Sequence, residues 1–166
     1  DALESQVASL LGQVIDPSIF DAGTNVSNAY PNVTLSTAQV SAEINDLDVV
    51  TPLQLTSNVT GPVFTNGAVF LTDAGSNLWE ADVRLGDDAL RVDIQTARTS
   101  ISATIVPNDT DTAVMQIYNS QGALISETIA RSSNEFVLSL TAPVNSTIAF
   151  ALVAPIDGAE IKQVVL

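Results

Sequence analysis

No cysteine and no histidine occurs anywhere in the 166 residues. The first absence removes disulfide staples and thiolate metal sites. Together the two remove Ser–His and Cys–His nucleophilic catalysis and proton transfer through imidazole. Positive charge is scarce too: five Lys+Arg stand against 19 Asp+Glu, a formal net charge of −14, and Lys162 is the only lysine. Such a field repels the phosphates of nucleic acid and the surface of an anionic membrane. Aromatic residues make up 5% of the chain, few for a sugar cleft built on stacking platforms. No apolar run approaches the roughly 20 residues needed to cross a bilayer.

Only 14% of residues carry charge, so the polar surface falls to Ser, Thr, Asn and Gln. That surface suits a secreted, glycosylated or salt-adapted protein. The length fits one domain that buries a core without cross-links. The apolar stretch from Val7 to Ile15 is broken by Gly12 and Gln13 and flanked by Asp1 and Glu4 instead of lysines. It does not read as a secretory leader, and the chain is taken as a processed mature protein or an excised domain.

Five Asn-X-Ser/Thr triplets follow: Asn25-Val26-Ser27, Asn32-Val33-Thr34, Asn58-Val59-Thr60, Asn108-Asp109-Thr110 and Asn145-Ser146-Thr147. None has proline in the middle, so each is a competent N-glycosylation acceptor. Asn58, Asn108 and Asn145 fall at expected turns beside Gly61-Pro62, Pro107 and Pro143, and Asn25 and Asn32 in a loop-rich entry. An extracellular or cell-surface location follows from this pattern. The plainer reading is that such triplets stay unmodified where no oligosaccharyltransferase acts on them.

Leu3, Val7, Leu10, Leu11, Val14 and Ile15 recur at intervals of three and four, one face of a helix. Acidic Asp1 and Glu4 favour its N-terminal end, and Asp16-Pro17 closes it. The spacing predicts an amphipathic α-helix over 1–17 followed by a single β-domain over 18–166. From residue 18 the apolar period drops to two. Val33 and Leu35; Val40, Ala42 and Ile44; Leu90, Val92 and Ile94; and Ile101, Ala103 and Ile105 alternate with polar residues, and Phe136, Leu138 and Leu140, then Ile148, Phe150 and Leu152, recur at the same spacing. Val69 to Leu71 and Ile161 to Leu166 are further short apolar segments, and Asn119-Ser120-Gln121-Gly122 reads as the turn of a hairpin. Short strands with turn residues between them predict an antiparallel β-sandwich or barrel.

The segments Phe20-Asp21-Ala22-Gly23-Thr24 and Asn28-Ala29-Tyr30-Pro31-Asn32-Val33-Thr34-Leu35 resemble the opening of secreted β-sandwich proteins of the PEP-CTERM type. So do Ala89-Leu90-Arg91-Val92-Asp93-Ile94, Val114 to Tyr118 and Asn119 to Ile125. The chain departs from that type in having no Pro-Glu-Pro, apolar and basic segment after its last strand, and in its leading helix. The resemblance implies a jelly-roll module, similar to carbohydrate-binding modules, exported to the cell surface or matrix.

Chemistry remains for carboxylates. The pairs Asp46/Asp48, Asp87/Asp88, Asp109/Asp111 and Asp157/Glu160 can serve a glycosidase only if two face each other across a cleft, and an acidic chain supplies such pairs by chance. Calcium, which takes carboxylate and carbonyl oxygens, is the better match. Asp109 and Asp111 alternate in one loop, though Asp-rich loops are usually turns that satisfy their own backbone. The resemblance supports a second place, with Asp21 near the first strand and Asp157 or Glu160 before the last. Trp79, the sole tryptophan, is the ligand-stacking candidate, and the plainer reading puts it in the core. Arg84 and Arg91 are explained most simply by pairing with neighbouring acids.

Three functions compete on this reading. The first is a non-catalytic subunit of an extracellular assembly (filament, surface layer or matrix), self-associating through the leading helix or the last strand. The second is a calcium-stabilised module that binds a polysaccharide. The third is a carboxylate-pair glycosidase.

Overall fold

The computed structural model describes residues 12–20, 26–41, 54–59, 79–80, 89–156 and 158–166. In chain order its strands are β1 (Val14–Ile15), β2 (Val33–Ser41), β3 (Gln54–Val59), β4 (Trp79–Glu80), β5 (Ala89–Ile94) and β6 (Ser100–Val106). They continue as β7 (Asp111–Tyr118), β8 (Leu124–Ser132), β9 (Phe136–Thr141), β10 (Phe150–Ile156) and β11 (Glu160–Val165), with one 3-10 turn at Pro17–Ile19. Every pairing between them is antiparallel.

Two sheets result. One runs β1-β11-β6-β9, with β4 also on β11; the other runs β3-β2-β5-β10-β7-β8. Because β6 occupies one edge of β11, β1 and β4 lie end to end along the other, β1 opposite Val164 and Val165 and β4 opposite Glu160 and Ile161. Set β2, β3 and β4 aside, and the first sheet reads first–last–third–sixth of the remaining strands. The second reads second–seventh–fourth–fifth. That order is a jelly roll, two interlocked Greek keys. β2 and β3 widen its second sheet beyond β5.

The period-two segments supply the core between the sheets. In β6, Ile101, Ala103 and Ile105 point inward while Ser102 and Thr104 point out. They pack with Leu138 and Leu140 of β9 and with Ile161 and Val164 of β11. Across from them lie Val92 and Ile94 of β5, Met115 and Ile117 of β7, and Ala151 and Val153 of β10. Each large side chain buried this way contributes about 1.5–3 kcal/mol.

The sheets differ on their outer faces. β7 and β10 are buried along their whole length. The outward layer of the second sheet is therefore apolar as well, with Ala89, Val114, Ala154 and Ile156 in one cluster and Ala38, Tyr118, Phe150 and Leu152 in another. The first sheet turns Ser100, Ser102, Val137, Ser139, Thr141 and Lys162 outward, all exposed or only partly buried. The second sheet's outer face meets solvent along β8, where Leu124 and Ile129 are exposed.

Two expectations change. Val14 and Ile15, expected in the last turns of the leading helix, are a β-strand; Gln13 and Leu166 exchange both backbone hydrogen bonds at 3.1 and 2.9 Å. Gly12 takes φ 74°, which turns the chain into that pairing, and a Cβ there would collide with the Leu166 carbonyl oxygen. A short β-branched pair beside an open strand edge gains more from the ladder than from a final helical turn. The rest of the expected helix lies outside the described residues, as does the Val69–Leu71 segment. Asn58, expected at a turn, sits inside β3 opposite Ala38. The hairpin is found where the sequence predicts it: Asn119 Oδ1 accepts from the N–H groups of Gln121 and Ala123, each at 3.0 Å, and Gly122 has φ 78°.

Candidate functional site

The open face of the first sheet carries a concavity. It is built where β6 leaves the loop at 95–99 and runs between β9 and β11. Cross-strand register sets Ser100 opposite Thr141 and Ser102 opposite Ser139, while Val165 of β11 lies on the other side of Ser102. Strand alternation turns all of these side chains to the same outer face. The preceding loop is fastened from beneath, since Arg98 C=O accepts from Ile148 N–H at 2.9 Å and Thr99 C=O from Ala142 N–H at 2.7 Å.

The result is an open cleft of about 500 Å³, with Arg98, Thr99, Ser100, Ser102, Ser139 and Thr141 among its lining and Gly12 and Leu166 at one end. Hydroxyls, which both donate and accept, thus converge with one guanidinium, a donor only. Arg98 is partly buried, and its Nε is enclosed with no hydrogen-bond partner. Among the described residues it has no ion-pair partner either.

Sequence reasoning passed over this cleft, yet two signals pointed to it. Ser or Thr fills the outward positions of β6 from 100 to 104 and the last two of β9. Arg98 has no acid closer along the chain than Asp93. Arg91, by contrast, meets Asp93 on the same strand face, two residues on, through two hydrogen bonds of 2.9 Å. The expected pairing of Arg91 with a neighbouring acid is what the structure contains.

A second polar constellation lies on the outer face of the second sheet. The Arg91 guanidinium sits 3.9 Å from the Phe150 ring centroid, and Tyr118 stacks on Phe150 at 4.6 Å with ring planes 6° apart. The Tyr118 hydroxyl donates to Gln116 Oε1 at 2.6 Å, and Gln116 Nε2 donates to Glu127. Burial pushes the Tyr118 phenol above its usual range, and the Glu127 carboxylate adds to the rise. Tyr118 and Phe150 are 6% and 7% exposed, and each ring covers the other, so neither offers a free face to a sugar. This cluster binds the sheet to itself.

The residues singled out from sequence are scattered. The backbone of Trp79 pairs with Ile161 in β4, and its side chain is outside the description. Asp21, Asn25 and Asp157 lie outside the described residues. Asp109 is exposed, whereas Asp111 is 2% exposed and its Oδ2 accepts from the N–H groups of Asn108 and Asp109 at 2.6 and 3.3 Å. That carboxylate satisfies its own turn. Glu160 opens β11, partly buried, opposite Val106 and Glu80. Among the described residues no three acidic side chains gather as metal ligands would. Of the sequon asparagines, Asn32, Asn108 and Asn145 are exposed. Asn32 and Asn145 also take left-handed backbone, φ 59° and 65°, a conformation that asparagine tolerates better than most residues.

No family model matches the chain, and no curated protein matches it. Among solved structures it is similar to BiXyn10A CBM1, at 10% identity over 93% of this chain and 96% of that one, with a TM-score of 0.40. A family 6 carbohydrate-binding module aligns at 6% identity, covering 93% of this chain and 92% of that one, with a TM-score of 0.37. The family 32 module of C. perfringens NanJ, solved with galactose, aligns at 15% identity over 87% of this chain and 97% of that one, with a TM-score of 0.41. At that level of similarity nothing about a ligand passes from them to this chain.

Proposed function

We propose that this chain is a non-catalytic, exported binding module whose ligand is a saccharide held in the cleft on the outer face of β6, β9 and β11. One observation carries the reading: Ser100, Ser102, Ser139 and Thr141 converge with Arg98 in a single concavity of about 500 Å³. A sugar ring presents hydroxyls around its rim, and a surface of hydroxyls with one strong donor answers that pattern. The absence of His and Cys from the chain supports binding over catalysis. The five sequons support an extracellular setting.

Hydrogen bonds to neutral hydroxyls return about 0.5–1.5 kcal/mol each after desolvation, and among the described residues no aromatic side chain lines this cleft. Affinity for a short oligosaccharide is accordingly weak, on the order of 0.1–1 mM. Titration calorimetry or ligand-observed NMR against a panel of neutral and acidic oligosaccharides tests the reading. Ser139→Val and Ser102→Val should each weaken binding about 2- to 12-fold without lowering the melting temperature. A panel with no binder at 10 mM ligand refutes it.

A second reading, a self-associating structural subunit, draws on β9. Among the described residues this strand has a neighbour on one side only, its sequence Phe136–Thr141 has neither charge nor proline, and Val137 is 58% exposed. Such an edge is unguarded against pairing with a second chain. Sedimentation over a hundred-fold concentration range separates the two readings, because a lasting monomer removes the subunit.

A further inference from the structure

We infer that the saccharide taken by this cleft is acidic, carrying a ring carboxylate, and that Arg98 is the residue that receives it. The inference rests on the cleft being the ligand site and goes on to the chemical class of the ligand.

The scarcity of cations makes Arg98 informative. Of five in the chain, Arg91 is bound to Asp93, Lys162 is 3.1 Å from Glu135, and Arg131 has a partner of its own. A protein with 19 acidic residues has ample means to neutralise a fourth. Arg98 nevertheless stands in the cleft wall with its Nε enclosed and unanswered. That Nε–H is closed off from solvent and so from the cleft, which leaves the two terminal amino groups of Arg98 as the donors open to a ligand.

Guanidinium has a planar fork of donors that matches the two oxygens of a carboxylate, a geometry a neutral hydroxyl cannot fill. The flanking hydroxyls of Ser100, Ser102, Ser139 and Thr141 supply partners for the ring that bears it. The Ser and Thr positions alone would serve any sugar; the guanidinium, with no acid beside it among the described residues, is what selects. The net charge of −14 opposes an acidic polymer at a distance. That repulsion is screened beyond about 10 Å at 0.1 M salt, whereas a contact inside the cleft is not.

The experiment titrates the folded protein at physiological ionic strength with three ligands of one backbone: a uronic-acid oligosaccharide, its carboxyl-reduced neutral form and a sulfated neutral form. The uronate should bind about ten-fold or more tightly than the reduced form. In Arg98→Gln that preference should vanish, and in Arg98→Lys, which keeps charge without the fork, part of it should remain. Equal binding of uronate and reduced form by the unmodified protein overturns the inference while leaving the cleft reading standing, and needs no variant to fold. Tighter binding of the sulfated form overturns the carboxylate assignment. Failure of all three ligands, or binding untouched by Ser139→Val, takes down the cleft reading and the inference with it.

Discussion

Replacing Arg91 tests whether the outer layer of the second sheet is a true second core. Its side chain is 12% exposed, spans Phe150 at 3.9 Å and grips Asp93 by two 2.9 Å hydrogen bonds. Asp93 is 35% exposed, so solvent screens the pair, which contributes about 1 kcal/mol. The cation–ring contact adds about 1 kcal/mol. The buried aliphatic stem adds about 1–2 kcal/mol. Against these stands Arg91 Nη1, enclosed without a partner, whose removal returns about 1 kcal/mol. Arg91→Ala should therefore cost about 2–3 kcal/mol, and Arg91→Met, which keeps the stem, about 1 kcal/mol. In a chain of this size that corresponds to melting shifts of about 5–10 °C and about 2–4 °C. Urea unfolding followed by circular dichroism measures both, and urea leaves the electrostatics of an acidic protein unscreened. Equal losses for Ala and Met, or no loss for either, would mean that the stem is not packed as the burial pattern requires.

Two further outcomes follow from described groups. Burial first, and the nearby Asp16 carboxylate second, push the Tyr30 phenol up to about 12, and Tyr118 is also raised, by burial and then by Glu127. Both folded-state values lie above the unfolded one, so their stabilisation is complete below pH 10 and is lost as pH climbs further, through about 12 for Tyr30. Phenolate absorbance should stay low at pH 10 and rise together with unfolding; half-titration near pH 10 in the folded protein refutes the burial of both rings. Asp111→Ala, which strips the acceptor from the Asn108 and Asp109 amides, should cost about 1–3 kcal/mol equally with calcium and with chelator. A loss confined to calcium-containing buffer would give Asp111 an ion instead of a turn.

What the sequence determined alone is local. Alternation with period two marks β5 and β6, because a strand shows successive side chains to opposite faces whatever its neighbours are. The Asn119–Gly122 turn and the Arg91–Asp93 pair likewise involve residues within a few positions of each other. The tertiary structure decided everything that depends on partners far along the chain. It made a strand of Val14–Ile15 by giving it the edge of β11, and it placed polar Gln54–Val59, with no alternation to announce it, beside β2. It covered both faces of β7 and β10. It also gathered Arg98, Ser100 and Ser102 with Ser139 and Thr141 into one cleft. Strand order is a choice among many pairings of similar local energy, settled by which arrangement buries two apolar faces at once. A site assembled across β6, β9 and β11 therefore has no signature in any one segment, and exists only once the jelly roll has closed.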